Sequence, residues 1–371
     1  MRIVHLADTH LGHRFLSKVD KDGRNIREQD VYAAFRAAIE RILELKPDAV
    51  VHAGDLFESF HPSTEALAVA LDGFARLQEA DIPVVITSGN HSTPRFRATT
   101  HVFSLLERYG CAHAVWREPK VVEIGELAIM AIPHQHDEEA LEAAVRAAKP
   151  RSDAKYNVLV LHAELEVLPR VGAGEAGTLH LDPSLIEEVR DFDYIAFGHF
   201  HEYKALRSNA CYSGSLERLG FNDRSKEKVI LEIDLAAGSG DVAWITRHAI
   251  PTRLVRTLDE IDGLASEDLT ADVLAALDGI ELEGAVLRCP IRSVTQEEYR
   301  RLDMTAIDEK TKVCLHFEPK PEFIGSTKVR PRSADDLRAY VMAATPEGME
   351  PDEVLRRAED YLAEATSGLG E

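Results

Sequence analysis

Carboxylates, histidines and one asparagine recur in this chain at places where a metal ion could bind. The set comprises Asp8, His10, Asp55, Asn90, His91, His162, His199 and His201. Carboxylate oxygens, imidazole nitrogens and an amide oxygen, with no thiolate among them, suit Mn²⁺, Fe²⁺ or Zn²⁺ better than a soft-metal site. A lone histidine is more often structural, but the set as a whole predicts a divalent-metal centre.

Each group of these residues follows a short apolar run with the character of a β-strand. The clearest run, 49–53, is rich in β-branched residues and leads into Gly54-Asp55, and the runs at 2–7, 83–87, 157–161 and 194–197 end in the same way. In Asp8-Thr9-His10 and His199-Phe200-His201, an extended backbone would point residues i and i+2 the same way. Ligands bind at the carboxyl ends of strands in open α/β sheets, so we expect one shared site.

Helical periodicity separates these strands, which predicts an α/β, layered fold. Val31, Phe35, Ile39 and Ile42 recur at helical spacing, and so do Leu67, Leu71, Phe74 and Leu77. A shift in composition near Pro251 and a polar segment at 326–332 divide the chain into three parts. They are 1–250, which holds the strand-end residues, a small α+β domain at 251–325, and a linker with C-terminal helices at 326–371.

The charge of the chain is negative and unevenly distributed. The formal net charge of -21 repels nucleic acid at long range, so DNA binding would need a local positive field. Residues 258–283 contain nine acidic and no basic residues, whereas 14–27 contain five basic and two acidic ones. The four cysteines form no C-x-x-C pair and no apolar run is long enough to span a bilayer. We therefore expect a reduced cytoplasmic protein.

The motifs, in order, resemble those of the calcineurin-like metallophosphoesterases. They are Asp8-Thr9-His10, Gly54-Asp55, Gly89-Asn90-His91, His162 and Gly198-His199-Phe200-His201. The segments 5–12 and 212–217 are similar to the DNA double-strand-break repair nucleases of that family, the SbcD and Mre-eleven type. The resemblance implies a metallophosphoesterase β-sandwich flanked by helices for the nuclease domain, a DNA-binding capping domain at 251–325, and C-terminal helices that bind an ATPase.

The resemblance also implies roles for the strand-end residues. Asp8, His10, Asp55 and His201 would hold one Mn²⁺, and Asp55, Asn90, His162 and His199 a second, with Mg²⁺, Fe²⁺ or Zn²⁺ as alternatives. Two ions about 3.5–4 Å apart can clamp a phosphodiester and activate water for in-line attack. His91 would contact the scissile phosphate and protonate the leaving oxygen; the alternative is that it only supports the metal ligands.

Two residues depart from the pattern of the repair nucleases. Ser92 replaces an aspartate, and a carboxylate in that place would fix the tautomer of a neighbouring imidazole. Glu58 replaces a histidine that the branch often has, and its charge would repel phosphate unless it is paired, for example by Arg14 or Arg95.

Contacts with DNA and with other proteins are predicted at several surfaces. Loop residues near the strand ends could track a DNA backbone, although such a residue taken singly more often serves solubility: Arg14, Arg24, Arg27 and Arg95. The resemblance implies a homodimer through helices near 64–80 and 98–107. It also implies docking of a C-terminal apolar stripe on an SMC-like coiled-coil ATPase of the SbcC type, the alternative being that this helix folds back on its own domain: Val354, Leu355, Tyr361 and Leu362.

The resulting hypothesis is a Mn²⁺-dependent, nucleoid-associated DNA exonuclease and endonuclease that acts on double-stranded ends and single strands. Two alternatives stay open. A fold does not fix its substrate, so a small-molecule phosphodiesterase or phosphatase is one. A weakly active scaffold subunit is the other.

Overall fold

The computed structural model describes residues 1–94, 101–165, 177–238 and 244–324. The helices in this part are α1 Ile26–Leu45, α2 Thr64–Glu79, α3 Phe103–Tyr109, α4 Glu138–Ala147, α5 Leu185–Glu188, α6 Leu269–Ala275, α7 Gln296–Arg300 and α8 Met304–Thr311. The strands are β1 Arg2–Leu6, β2 Ala49–His52, β3 Val84–Thr87, β4 His113–Val115, β5 Lys120–Ile124, β6 Leu127–Ile132, β7 Tyr156–His162, β8 Glu164–Leu165, β9 His180–Leu181, β10 Tyr194–Gly198, β11 Lys204–Arg207, β12 Ala210–Tyr212, β13 Lys228–Asp234, β14 Ile245–Ile250, β15 Val255–Thr257, β16 Ile261–Asp262, β17 Val286–Val294 and β18 His316–Phe323.

Most of the strands belong to two six-stranded sheets. The first has the order β14-β13-β1-β2-β3-β4 and the second the order β11-β12-β10-β7-β6-β5. In the first sheet β1 to β4 are parallel, and in the second β6, β7, β10 and β12 are parallel. Antiparallel strands complete the edges. Each sheet therefore presents several parallel carboxyl ends on one side.

The two sheets pack face to face, and helices cover their outer faces. In β1, Ile3 lies in the core between the sheets and Val4 in the core under α1 and α2, as strand alternation requires. The second sheet contributes Val158 to the inner core and Leu159 to the core under α4 and α5. The β-sandwich flanked by helices that the resemblance implies is confirmed.

Local sequence explains the position of the long helix α1. The side chain of Asn25 accepts a hydrogen bond from the Glu28 N–H at its start, and Lys46 ends the helix in the left-handed conformation. Gly73 of α2 permits the close packing of the two helices, because a Cβ there would lie 2.6 Å from Cε1 of Phe35. The helix thus returns the chain to the amino end of β2, and Asp55 follows the carboxyl end of that strand.

Residues 254–323 form a smaller α+β unit with its own core. The central strand β17 pairs with β15 and β16 on one side and with β18 on the other. Its core cluster includes Leu258, Val273, Leu287 and Ile291. A capping box at Thr295 and Glu298 begins α7. The division at 250 and 325 stays a prediction.

Some predicted elements and surfaces have different bounds in the structure. The strand expected at 312–317 begins only at His316, because α8 and a turn occupy the preceding residues. The apolar faces of α2 and α3 are buried in the chain's own core, for example through Phe74 and Leu106. Arg95 and the predicted partner-binding residues lie outside the described residues: Val354, Leu355, Tyr361 and Leu362. Within the described residues, no helix combines the length and apolarity needed to cross a membrane.

Candidate metal centre

The carboxyl ends of strands from both sheets bring the predicted metal-binding side chains together. Possible ligand atoms of Asp8, His10 and His201 lie within 4.8 Å of one another, and so do those of Asp55, His162 and His199. A third group of the same compactness contains His10, Asp55 and His91, so Asp55 belongs to two of the three groups. These residues lie at or just after the carboxyl ends of five strands, β1, β2 and β3 of one sheet and β7 and β10 of the other.

The donor atoms face one another at close range. Nε2 of His10 lies 3.2 Å from Nε2 of His201. Nε2 of His162 lies 3.0 Å from Oδ2 of Asp55 and 3.0 Å from Oδ1 of Asn90, and Nδ1 of His199 lies 3.3 Å from the same Asn90 oxygen. Converging imidazole nitrogens, carboxylates and an amide oxygen form a donor set that fits hard or borderline divalent cations.

Four of these residues adopt left-handed backbone conformations. The φ angles are 51° at Asp8, 50° at His10, 51° at Asp55 and 104° at His199. The expectation that an extended backbone aligns Asp8 with His10 and His199 with His201 is therefore wrong. β1 ends at Leu6 and β10 at Gly198, so both pairs lie beyond the strands, and His199 and His201 belong to different compact groups. For Asp8 and His10 the turn, rather than strand alternation, brings the two side chains to one place.

Three glycines adjacent to candidate ligands leave room for the site. A Cβ on Gly89 would lie 2.3 Å from Oδ1 of Asp55, and one on Gly54 would lie 2.3 Å from Nδ1 of His162. A Cβ on Gly198 would lie 1.9 Å from the carbonyl oxygen of Ala53. The glycine of each G-D, G-N-H and G-H-x-H motif thus permits a close approach that another residue would block.

Burial and neighbouring histidines shift the pKa values of the two aspartates of the site in opposite directions. Burial raises the pKa of Asp8 above its ordinary value. Burial would also raise the pKa of Asp55, but His162, with help from His91 and His10, holds it well below the usual range. Burial would lower the pKa of His162, yet Asp55 and Asp8 raise it to about 9. Since a coordinating imidazole must be neutral, a cation here competes with the proton of His162.

His91 lies at the partly open side of the site. Its backbone N–H donates to Oδ1 of Asp55 at 3.0 Å, and its ring Nδ1 lies 3.0 Å from the carbonyl oxygen of Glu58. The side chain is 21% exposed, in contrast to the 1% of His10. The ring thus borders the more open side of the site, while its Nε2 is buried.

Among the described residues, which do not include Arg95, histidines pair with Glu58. Its Oε2 lies 2.8 Å from Nδ1 of His10, and its Oε1 lies 3.2 Å from Nδ1 of His13. Burial would raise the pKa of Glu58, whereas His10 and His13 lower it far below the ordinary range. The predicted pairing with Arg14 is wrong, because that guanidinium donates to Glu28 at 2.9 Å.

Ser92, the other departure, is fully buried next to His91. Its hydroxyl has no hydrogen-bond partner among the described residues. Ser92 therefore does not orient the imidazole of His91 in place of the missing aspartate.

Sequence reasoning missed several residues that support the site. Lys228 is buried at the start of β13, forms an ion pair with Asp223, and donates to the carbonyl of His201 at 2.8 Å. His134 follows β6, and its backbone N–H donates to the carbonyl of Ser88 at 3.1 Å. Burial lowers the pKa of its imidazole to about 4. The rule that chemistry follows strand ends could have identified His134, but nothing in the local sequence distinguishes Lys228.

The three described arginines predicted to bind DNA differ in exposure. The side chains of Arg14 and Arg24 are 64% and 52% exposed, and Arg24 pairs with Asp20 and Asp22. Arg27 is only 1% exposed, pairs with Asp30, and donates to the carbonyl of Arg218. The prediction for Arg27 is wrong, because a buried guanidinium cannot reach a DNA backbone.

Comparison with known proteins agrees with this geometry. The sequence profile of the calcineurin-like phosphoesterases matches residues 1–203. The chain is 32% identical over 266 residues to the DNA double-strand break repair protein Mre11 of Methanocaldococcus jannaschii, and the match covers 68% of each chain. It is 32% identical over 209 residues to the protein of the same name from Sulfurisphaera tokodaii, covering 56% of this chain and 50% of that one.

Other matches cover a smaller share of the matched protein or are more distant. The Mre11 protein of Methanosarcina mazei is 31% identical over 261 residues, which is 68% of this chain but 39% of that protein. Among solved structures, a dimetal phosphatase from Danio rerio is 12% identical, with a TM-score of 0.37 over 62% of this chain and 91% of that one. The match thus covers 68% of the Methanocaldococcus jannaschii protein, 50% of the Sulfurisphaera tokodaii protein and 39% of the Methanosarcina mazei protein.

Proposed function

The chain belongs to the calcineurin-like phosphoesterase family, and on that premise we propose that it is a Mn²⁺-dependent DNA exonuclease and endonuclease. One observation carries the proposal. Ligand atoms of Asp55 lie in one compact group with His10 and His91 and in another with His162 and His199. A carboxylate shared in this way is what a two-cation centre requires.

The resemblance to the family assigns the residues that would hold the two cations. Asp8, His10, Asp55 and His201 would bind one, and Asp55, Asn90, His162 and His199 the other. When bound, a pair of divalent cations polarises the phosphodiester and lowers the pKa of water. Their charge exceeds that of the carboxylates Asp8 and Asp55, so phosphate is attracted locally although the chain carries a net charge of -21.

His91 acts on the leaving group in this proposal. The carbonyl oxygen of Glu58 accepts from Nδ1 of His91, which leaves Nε2 as the atom for proton transfer. A general acid must come within hydrogen-bond reach of the oxygen that it protonates. Nε2 of His91 is buried, and a ligand atom of His91 lies in one compact group with His10 and Asp55, which supports a position beside a phosphate bound at the centre.

DNA as the substrate is supported by the relatives, which are named as DNA double-strand break repair proteins. We extend the proposal to double-stranded ends and single strands, with residues 251–325 as the capping domain over DNA. An SMC-like ATPase of the SbcC type would bind through the C-terminal residues, which lie outside the described part of the chain. A homodimer is also proposed, on the resemblance alone.

A nuclease assay with the full-length protein tests the proposal. We expect Mn²⁺-dependent cutting of an end-labelled duplex and of circular single-stranded DNA, measured with and without the ATPase. Asp55→Ala should abolish cutting, whereas Asp72→Ala, which removes an exposed carboxylate of α2, should not change it.

Three outcomes would contradict the proposal. One is the absence of cutting both alone and with the ATPase. Rapid turnover of a phosphodiester dye with DNA left intact would favour a small-molecule phosphodiesterase. Metal binding with DNA cutting unchanged by His91→Ala would favour a scaffold subunit.

A further inference from the structure

We infer that Glu58 is a positioning residue that orients two histidines of the candidate centre, one through its side chain and the other through its main chain. The inference rests on the proposed two-cation site. Glu58 lies three residues beyond Asp55, in the segment where Leu11 and Phe57 form a parallel bridge. This bridge brings the loops after β1 and β2 into contact, so Glu58 lies beside the ligand loop of the neighbouring strand.

The side chain of Glu58 fixes the tautomer of His10. A carboxylate is only an acceptor, so the 2.8 Å contact with Nδ1 of His10 requires that this nitrogen carry the proton. The lone pair is then on Nε2, the atom that faces Nε2 of His201 at 3.2 Å. A carboxylate that holds an imidazole in this way also raises its basicity as a metal ligand.

The main chain of Glu58 orients the second histidine. Its carbonyl oxygen lies 3.0 Å from Nδ1 of His91, and a carbonyl is likewise only an acceptor. His91 is therefore oriented by residue 58, and it does not need a carboxylate at position 92. This acceptor belongs to the main chain, so any residue at position 58 would supply it, whereas the contact with His10 depends on the carboxylate of Glu58 itself.

His13 holds the carboxylate in place from its other side. Its Nδ1 lies 3.2 Å from Oε1 of Glu58, and its Nε2 lies 2.8 Å from the carbonyl oxygen of Leu219. Both oxygens of Glu58 thus face an imidazole nitrogen. The negative charge is therefore paired with histidines, although the side chain is 33% exposed.

The two roles of Glu58 can be separated by substitution. Glu58→Gln keeps the backbone carbonyl, which lies 3.0 Å from Nδ1 of His91. It replaces with a neutral amide of the same size the carboxylate, which lies 2.8 Å from Nδ1 of His10 and 3.9 Å from that of His91. Losing a partner of a metal-bound histidine costs on the order of 10–100-fold in metal affinity. We therefore expect one of the two Mn²⁺ ions to bind that much more weakly, with the other within a few-fold of the wild type.

Calorimetric titration with Mn²⁺ alone tests this on the full-length protein, with Glu65→Gln as the matched control because Glu65 is exposed at the start of α2. In the nuclease assay, Glu58→Gln should raise the Mn²⁺ concentration for half-maximal cutting, and saturating Mn²⁺ should restore kcat. An unchanged thermal midpoint of the metal-free variant excludes a general loss of structure.

Wild-type affinity for both ions in Glu58→Gln would overturn the inference, and so would a loss of kcat that saturating Mn²⁺ does not restore. The titration needs no DNA, so it decides the role of Glu58 even if the wild-type protein cuts no DNA. In that case only the proposed nuclease function is contradicted, and the inference about Glu58 is not.

Discussion

At the scale of single residues, backbone strain is concentrated at the candidate ligands. Asp8, His10, Asp55 and His199 have positive φ angles, which cost a non-glycine residue on the order of 1–2 kcal/mol each. Main-chain bonds hold the first turn in place, from the Asp8 N–H to the carbonyl of Gly54 and from the His10 N–H to the carbonyl of Asp55, each at 3.0 Å. The fold thus keeps donor atoms in positions that a relaxed chain would not adopt.

The first prediction concerns Gly89, whose missing side chain leaves room for Asp55. In Gly89→Ala the new Cβ would lie 2.3 Å from Oδ1 of Asp55 and 2.8 Å from its backbone nitrogen, so the carboxylate must move. We expect Mn²⁺ affinity, measured by titration calorimetry, to fall on the order of tenfold or more, as for other disruptions of metal-ligand positioning.

Gly220→Ala is the matched control for this prediction. A Cβ at Gly220 meets no atom within 4 Å, so its Mn²⁺ affinity should equal that of the wild type. Equal affinities of the Gly89 and Gly220 variants would mean that Asp55 can shift without leaving the metal site.

The identity of the ligand residues could be predicted from sequence, but their supporting contacts could not. Asp8, Asp55 and His162 stand in short motifs at strand ends, where both the residue type and the adjacent glycine are informative. Glu58 was interpreted as a charge facing the substrate, because its contact with His10 depends on two loops that are 48 positions apart in the chain. Sequence spacing carries no information on such a pairing.

At the scale of elements, the site depends on which sheet each strand joins. Apolar runs and their ends predicted β1, β2, β3, β7 and β10, but nothing in the runs says that the last two belong to a second sheet facing the first. The missed strand β4 has only three residues and is half exposed, so its pattern is weak. Helix α4 was likewise not predicted, although its pattern is typical of a helix: Asp137 caps its start, and Leu141 and Val145 are buried one turn apart.

The second prediction concerns Lys228, which connects β13 to the back of the site. Its ammonium pairs with Asp223 and donates to the carbonyl of His201 at 2.8 Å and to Oγ of Ser215 at 2.9 Å. Lys228→Met would leave Asp223, with 5% of its side chain exposed, without a counter-ion. Breaking a buried pair costs about 3–5 kcal/mol, so the free energy of unfolding in urea should fall by that amount.

Lys226→Met provides the comparison, because Lys226 is exposed two residues earlier and only its backbone carbonyl is used by Arg218. We expect this variant to unfold within about 0.5 kcal/mol of the wild type, as surface substitutions usually do. If Lys228→Met is equally mild, the ammonium is not a structural support of His201.

At the scale of the whole molecule, a charged network joins the sandwich to the smaller unit. Arg253 lies between β14 and β15, donates to the carbonyl of Gly284 in the smaller unit at 2.7 Å, and forms two hydrogen bonds with Asp30 of α1, at 2.6 and 2.9 Å. Asp30 also accepts from the buried Arg27 at 2.7 Å, and Arg27 in turn lies 3.3 Å from the buried Glu217. Arg27 was predicted to bind DNA because it stands in a basic segment, but its guanidinium pairs with Asp30 and Glu217 in this network. Sequence could not show this, since its acidic partner Glu217 is 190 positions away in the chain.

The last prediction compares the two ends of this network. Asp30→Ala removes the carboxylate that pairs with two guanidinium groups. Arg27, with 1% of its side chain exposed, then keeps only the more distant Glu217 and the carbonyl of Arg218 among its described partners. We expect a loss of about 3–5 kcal/mol in the free energy of unfolding, the cost of breaking a buried ion pair. Arg253→Ala removes a guanidinium that is 25% exposed and leaves Asp30 paired with Arg27, so a smaller loss of about 1.5–3 kcal/mol is expected. Chemical unfolding followed by circular dichroism measures both. If the arginine variant is as unstable as the aspartate variant, the stability of the junction depends on Arg253 itself, and the burial of Arg27 contributes little to it.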